Sequence, residues 1–97
     1  MKWIYKITYP NGKIYVGMDL TGTFRYFGSP DKARLAADFA EEHRLDFTIR
    51  RQILHEFPDS EDNKVVRAKE VEEIRRHRSN DPAIGYNRWP KFKPPIY

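Results

Sequence analysis

Apolar and polar residues alternate through Trp3-Ile4-Tyr5-Lys6-Ile7-Thr8-Tyr9 and resume in Lys13-Ile14-Tyr15-Val16-Gly17, on either side of Pro10-Asn11-Gly12. Two such runs around a Pro-Asn-Gly segment predict a β-hairpin. Its turn decides which side chains share a face. A two-residue Asn11-Gly12 turn would put Pro10 in the closing pair, where a hairpin uses the backbone N–H that proline lacks. It would also set Tyr5 and Tyr15 on opposite faces. The preferred reading is a three-residue loop, a type I turn with Pro10 at its second position and Gly12 left-handed in a bulge. Paired positions then sum to 22, so Tyr9 meets Lys13, Ile7 meets Tyr15 and Tyr5 meets Gly17. Tyr5 and Tyr15 share a face with Trp3, Ile7 and Tyr9, while Ile4, Lys6, Thr8, Ile14, Val16 and Met18 form the other. Apolar residues on both faces predict a sheet covered on both sides.

Asp19 to Gly28 lacks a period and reads as an irregular segment with an aromatic cluster around Arg25. Ser29-Pro30-Asp31 offers an N-cap, a proline at the first helical position and an acid in the first turn. A helix is expected from there to His43 or Arg44, with Leu35, Ala36, Phe39 and Ala40 inward. Asp46 to Phe57 alternates around Phe47, Ile49 and Ile53, although Arg50-Arg51-Gln52 blurs the period; it predicts a third strand ending near Leu54 or His55. A second helix is expected from about Glu61 to His77. On it Val66, Glu70 and Ile74 fall four apart on one stripe, so Glu70 shares its face with apolar residues. Ser79-Asn80-Asp81-Pro82 ends that helix, and Gly85-Tyr86-Asn87 leads into a tail, residues 88–97, rich in proline, aromatics and lysine.

At 97 residues the chain is expected to form one domain, and a net charge of +4 favours a polyanionic partner only slightly. The absence of cysteine excludes disulfides, thiolate metal sites and cysteine nucleophiles, so any metal must be held by oxygen or imidazole. No apolar run reaches the about 20 residues of a membrane span, and the N-terminus lacks the apolar core of a signal peptide, so a cytoplasmic protein with no membrane partner is expected. His43, His55 and His77 show no ligand spacing and read as structural or exposed.

Trp3-Ile4-Tyr5 followed by Tyr15-Val16-Gly17 resembles the opening of the GIY-YIG nuclease domain, with Trp3 in place of the first glycine and Val16 in place of the second isoleucine. The order hairpin, helix, strand, helix and Gly-Tyr-Asn resembles that family over residues 3 to 87. The resemblance implies an α/β (α+β) fold, a small three-stranded antiparallel sheet flanked by helices, and a single nuclease domain spanning 1–97. It implies Tyr5 as general base and Tyr15 positioning water or phosphate. Arg25, eight residues past Gly17, matches the family's phosphate-holding arginine, and Asn87 its terminal asparagine. Glu70 matches the metal-binding glutamate. A shorter spacing counted back from Gly85 selects Glu72, which points about 200° away around the helix from the stripe that Glu70 shares.

Each residue type suits phosphodiester hydrolysis. A phenol can serve as base if positive charge, for which Lys13 is a candidate, lowers its reference pKa of about 10. A guanidinium grips nonbridging oxygens, and one carboxylate with water and phosphate can hold Mg²⁺ or Mn²⁺ at the leaving oxygen. Lys13, Gly17, Asn87 and Arg88 are the expected nucleic-acid contacts. The reading is a metal-dependent DNA endonuclease, small enough that a protein partner could supply its specificity. The alternatives are a catalytically weak or inactive nucleic-acid-binding domain on the same scaffold and, behind it, a protein-interaction module. Taken singly, the tyrosines could be packing residues, Arg25 and Glu70 surface ion-pair partners, and the tail aromatics part of the core.

Overall fold

The computed structural model describes residues 1–22, 28–39 and 46–94. Strands β1 (Lys2–Thr8), β2 (Ile14–Asp19) and β3 (Arg50–Phe57) and helices α1 (Lys32–Asp38) and α2 (Asn63–His77) follow in the order β1-β2-α1-β3-α2. The strands form one antiparallel sheet in the order β2-β1-β3, so the fold is α+β.

The hairpin has the register that the three-residue loop predicts: Tyr5 pairs with Gly17 and Ile7 with Tyr15. The Tyr9 N–H donates to Lys13 O at 2.9 Å, and Gly12 takes φ of 84°. Gly12 is needed there because an L side chain strains that conformation. The two faces carry separate cores. Tyr5, Ile7, Tyr9 and Tyr15 pack with Phe39 and Tyr86 on one, and Ile4 and Val16 pack with Val66 and Ile74 of α2 on the other.

Three expected boundaries need correction. β3 runs on to Phe57, because it stays paired with β1 as far as Lys2. A register shift between Ile4 and Tyr5 inserts Leu54 as an extra residue, and Leu54 then packs with the α2-side core. A bulge resets the period of two, so alternation along β3 could not be read straight through. In α1 the N-cap is Asp31 rather than Ser29; its carboxylate accepts from the Arg34 N–H at 3.3 Å. The helix stops at Asp38, since Phe39 turns to extended backbone, is buried, and meets Phe47 edge-on at 4.8 Å. The rest of the expected helix, 40–44, lies outside the described residues. α2 starts at Asn63 behind an Asp62 cap and ends on left-handed Arg78, whose N–H reaches Arg75 O and Ile74 O.

The outer edge of β2 is closed by the chain after α2. Ile14 N–H donates to Ile84 O at 3.1 Å, and Tyr86 N–H donates to Ile14 O at 2.9 Å, in a parallel bridge. Beyond it Asn87 continues the pairing with its side chain. Its Oδ1 accepts from Val16 N–H and its Nδ2 donates to Val16 O, both at 2.8 Å. An open strand edge has thereby been covered.

Candidate active site

Tyr15 projects from β2, Glu70 and Ile74 from α2, and Asn87, Arg88 and Trp89 from the segment along the β2 edge. Together with Ser29 they line a cavity of about 370 Å³. Core residues of both sheet faces contribute to it, Tyr15 from one and Ile74 from the other, so the cavity lies at the edge around which the faces meet. Glu70 and Tyr15 thus share one pocket. Glu72 does not line it; it is exposed, pairs with Lys69 at 3.2 Å, and borders a separate cleft with His55 and Phe57.

Tyr5 lies behind Tyr15, ring centroids 6.3 Å apart and planes at 50°. It is fully buried. A Cβ at Gly17 or at Gly28 would overlap the Tyr5 hydroxyl and the Tyr15 ring, so both glycines let backbone press against the two phenols. The Tyr15 hydroxyl accepts from the Ser29 N–H at 3.1 Å, which fixes it at the pocket wall. Among the described residues the cation over the Tyr5 ring is Arg51, at 4.7 Å, and not Lys13. Arg51 is also 3.6 Å from the buried Asp19 carboxylate. It faces Ile7 across the β1–β3 ladder, a long-range pairing that the sequence pattern does not give.

Lys13 is engaged elsewhere. Its ammonium pairs with Asp38 at 2.8 Å and sits 5.5 Å from the Tyr86 ring centre. Tyr86 donates its hydroxyl to the same Asp38 at 2.7 Å and accepts from Asn11 Nδ2 at 2.9 Å. The bonds from Lys13 and Tyr86 hold the Asp38 carboxyl below its ordinary range, while burial and the Asp38 bond push the Tyr86 phenol up to about 12. This knot fastens the hairpin tip to α1 and to the Gly85-Tyr86-Asn87 segment. Asn87, expected to contact nucleic acid, has its amide committed to Val16, and Gly17 is a packing position. Arg25 lies outside the described residues.

Glu70 stands apart from these paired groups. Among the described residues no side chain hydrogen-bonds or ion-pairs with its carboxylate, and burial raises its pKa against a weaker opposing pull from Arg67. A half-buried carboxylate held this way favours a cation. One carboxylate in a polar cavity with room for water fits Mg²⁺, which keeps several waters, better than a metal that needs an all-protein cage. Among the described residues no group of three or more metal-ligating side chains occurs.

Two buried acids, Asp19 and Glu73, escaped the sequence reading. Glu73 is 1% exposed, with His55 and Arg76 at 3.1 and 3.4 Å from Oε1 and His77 at 3.2 Å from Oε2. Burial pushes its pKa up, but the His55 bond and the charges of Arg76, His55 and His77 outweigh that and hold it low. The Glu73-to-His77 spacing of i, i+4 was a visible signal; the His55 partner was not. A further cleft of about 320 Å³ is lined, among the described residues, by Lys32, Leu35, Ala36, Phe39 and Phe47 and is mainly apolar.

Among the described residues no helix is long and apolar enough to cross a membrane. Comparison with protein-family models, curated proteins and solved structures gives no match.

Proposed function

We propose that the chain is a metal-dependent endonuclease of the GIY-YIG type that hydrolyses DNA phosphodiesters in the Tyr15–Glu70 pocket. The observation that carries this reading is the meeting of Tyr15 with a half-buried Glu70, without an ion-pair partner among the described residues, in one cavity, backed by Tyr5. Glu70 would hold a Mg²⁺ or Mn²⁺ ion, which when bound supplies positive charge to a departing 3′ oxygen.

The protein's own groups do the rest. A base must lie within hydrogen-bond reach of the proton it takes. The complete burial of Tyr5 favours Tyr15 as the phenol that meets the attacking water, with Tyr5 and the Arg51 cation behind it; this changes the division of labour expected from the sequence. Water oxygen attacks phosphorus, its proton passes to the phenolate, and the P–O3′ bond breaks, leaving a 5′ phosphate and a 3′ hydroxyl protonated from solvent. Arg88 at the pocket rim is assigned to the nonbridging oxygens, the role that the resemblance implies for Arg25.

The buried Tyr5 favours one second reading, a nucleic-acid-binding domain that has lost turnover. Incubation with plasmid, branched and single-stranded DNA, with Mg²⁺ or Mn²⁺ and then with chelator, separates the two. Metal-dependent cutting abolished in Glu70→Gln supports the nuclease. No cutting of any substrate, with salt-sensitive binding retained, supports the binding domain.

A further inference from the structure

In the chain leaving the pocket Trp89 is 72% exposed, so this aromatic is not simply a packing residue. Asn80 Nδ2 donates to Pro90 O at 2.7 Å, and Asn87 N–H donates to Ser79 O at 3.0 Å, which ties the tail to the turn after α2. Held there, Lys91, Phe92 and Lys93 form one wall of a groove of about 410 Å³, and Arg75, Arg78 and Asn80 form the other. Four cations line it and, among the described residues, no acid does. Arg78 has a loose contact with Asp81 at 3.7 Å. Among the described residues Arg75, Lys91 and Lys93 have no carboxylate within ion-pair distance.

Cations at a helix C-terminus offset the helix dipole, which accounts for Arg75 and Arg78. It does not account for two lysines from a separate segment brought against them, since like charges gathered without a counterion repel. The groove also continues the pocket. Glu70 and Ile74 line the pocket and Arg75 and Arg78 line the groove on the same helix, while Arg88 and Trp89 pass into Lys91 and Phe92 on the same tail. From Glu70 to Arg78 the chain rises about 12 Å, enough for a strand crossing it to present more than one phosphate.

We propose that this groove binds a single-stranded segment of nucleic acid running out of the Glu70 pocket, with Arg75, Lys91 and Lys93 on its phosphates and Phe92 and Trp89 as stacking surfaces for unpaired bases. Cations tracking a backbone beside exposed rings suit unpaired strands, because a base inside a duplex has no free face to stack. The inference builds on the reading of the pocket as the place where a phosphodiester sits, but its test does not depend on cutting.

The full chain and the variant R75Q/K91Q/K93Q are titrated in chelator against a fluorescein-labelled 20-nucleotide oligodeoxythymidine and against its duplex, from about 50 to 200 mM salt. K32Q/R50Q/K64Q removes the same charge from exposed positions elsewhere and is the control. Three phosphate contacts give a slope near −2 in log K against log salt, so between those salt concentrations the unmodified chain is expected to lose about 20-fold more affinity than R75Q/K91Q/K93Q. The control is expected to keep the slope of the unmodified chain, and W89A to weaken the oligothymidine without changing the slope. These results support the groove even if no DNA is cut, in which case only the nuclease reading fails. Equal slopes for both triple variants, duplex bound more tightly than oligothymidine, or poly-glutamate or anionic vesicles bound as tightly as DNA would overturn the groove, even where metal-dependent cutting persists. Thermal melting of each variant confirms that the folded chain is being compared.

Discussion

Replacing Asn87 tests whether its amide holds the sheet edge or waits for nucleic acid. Two 2.8 Å hydrogen bonds join it to the backbone of Val16, a residue with no exposed surface. Asn87→Ala strands one buried N–H and one buried C=O, at about 1–3 kcal/mol each. A loss of about 2–4 kcal/mol is expected, which for a chain of this size lowers Tm on the order of 10–25 °C. Asn87→Asp sharpens the test. The oxygen replacing Nδ2 faces the Val16 carbonyl, where a carboxylate repels and a protonated carboxyl donates. Its pKa should therefore rise on folding. A raised folded pKa makes the contribution full below the unfolded carboxylate value and lost as pH rises through the folded one. Urea titrations from about pH 4 to 7 should show Asn87→Asp approaching the parent in acid and falling away toward neutrality, while Asn87→Ala stays low throughout. An Asn87→Ala protein within about 0.5 kcal/mol of the parent, yet weakened in DNA binding, would refute the clamp and restore the contact role.

Glu70→Gln should abolish metal-dependent cutting while folding normally, and should remove a pH dependence: the raised carboxyl pKa costs the parent stability as pH rises through it, so the parent's disadvantage relative to Gln should appear toward neutral pH and vanish in acid. Mg²⁺ should raise Tm of the parent and not of the variant. Gly17→Ala forces a methyl into the Tyr5 and Tyr15 rings and should cost about 1–3 kcal/mol, read by urea unfolding. In a spectrophotometric titration two phenols, Tyr9 and Tyr86, should ionise only near about 12, both raised chiefly by burial, and Tyr86→Phe should remove one of them.

How much of this was legible in the sequence depended on how local the cause was. The hairpin register followed from the missing N–H of Pro10 and the left-handed demand on Gly12, both properties of adjacent residues. The order of elements and the placing of Glu70 on the pocket side of α2 followed from period alone. What could not be read was set by distant pairings. The bulge at Leu54 interrupted the alternation at the end of β3, and the burial of Phe39, against Phe47, ended α1 where propensity would have continued it. Tyr86 and Lys13 looked like separate features until Asp38 joined them. Asn87 shows the difference most plainly: its position was anticipated and its partner was not, because a backbone amide on β2 leaves no mark in the side-chain pattern.

The closing of the β2 edge also sets a schedule for synthesis. Val16 and Asn87 are 71 positions apart, and at about 5–20 residues per second a ribosome needs roughly 4–14 s to make the second after the first. For that interval the completed hairpin carries an open edge, and until α2 is made its α2-side core is uncovered as well. A nascent chain stalled anywhere in between presents pairing groups to its neighbours on a polysome. The demand for chaperone protection should therefore fall only when residues 84–87 emerge, and not when the hairpin itself is complete.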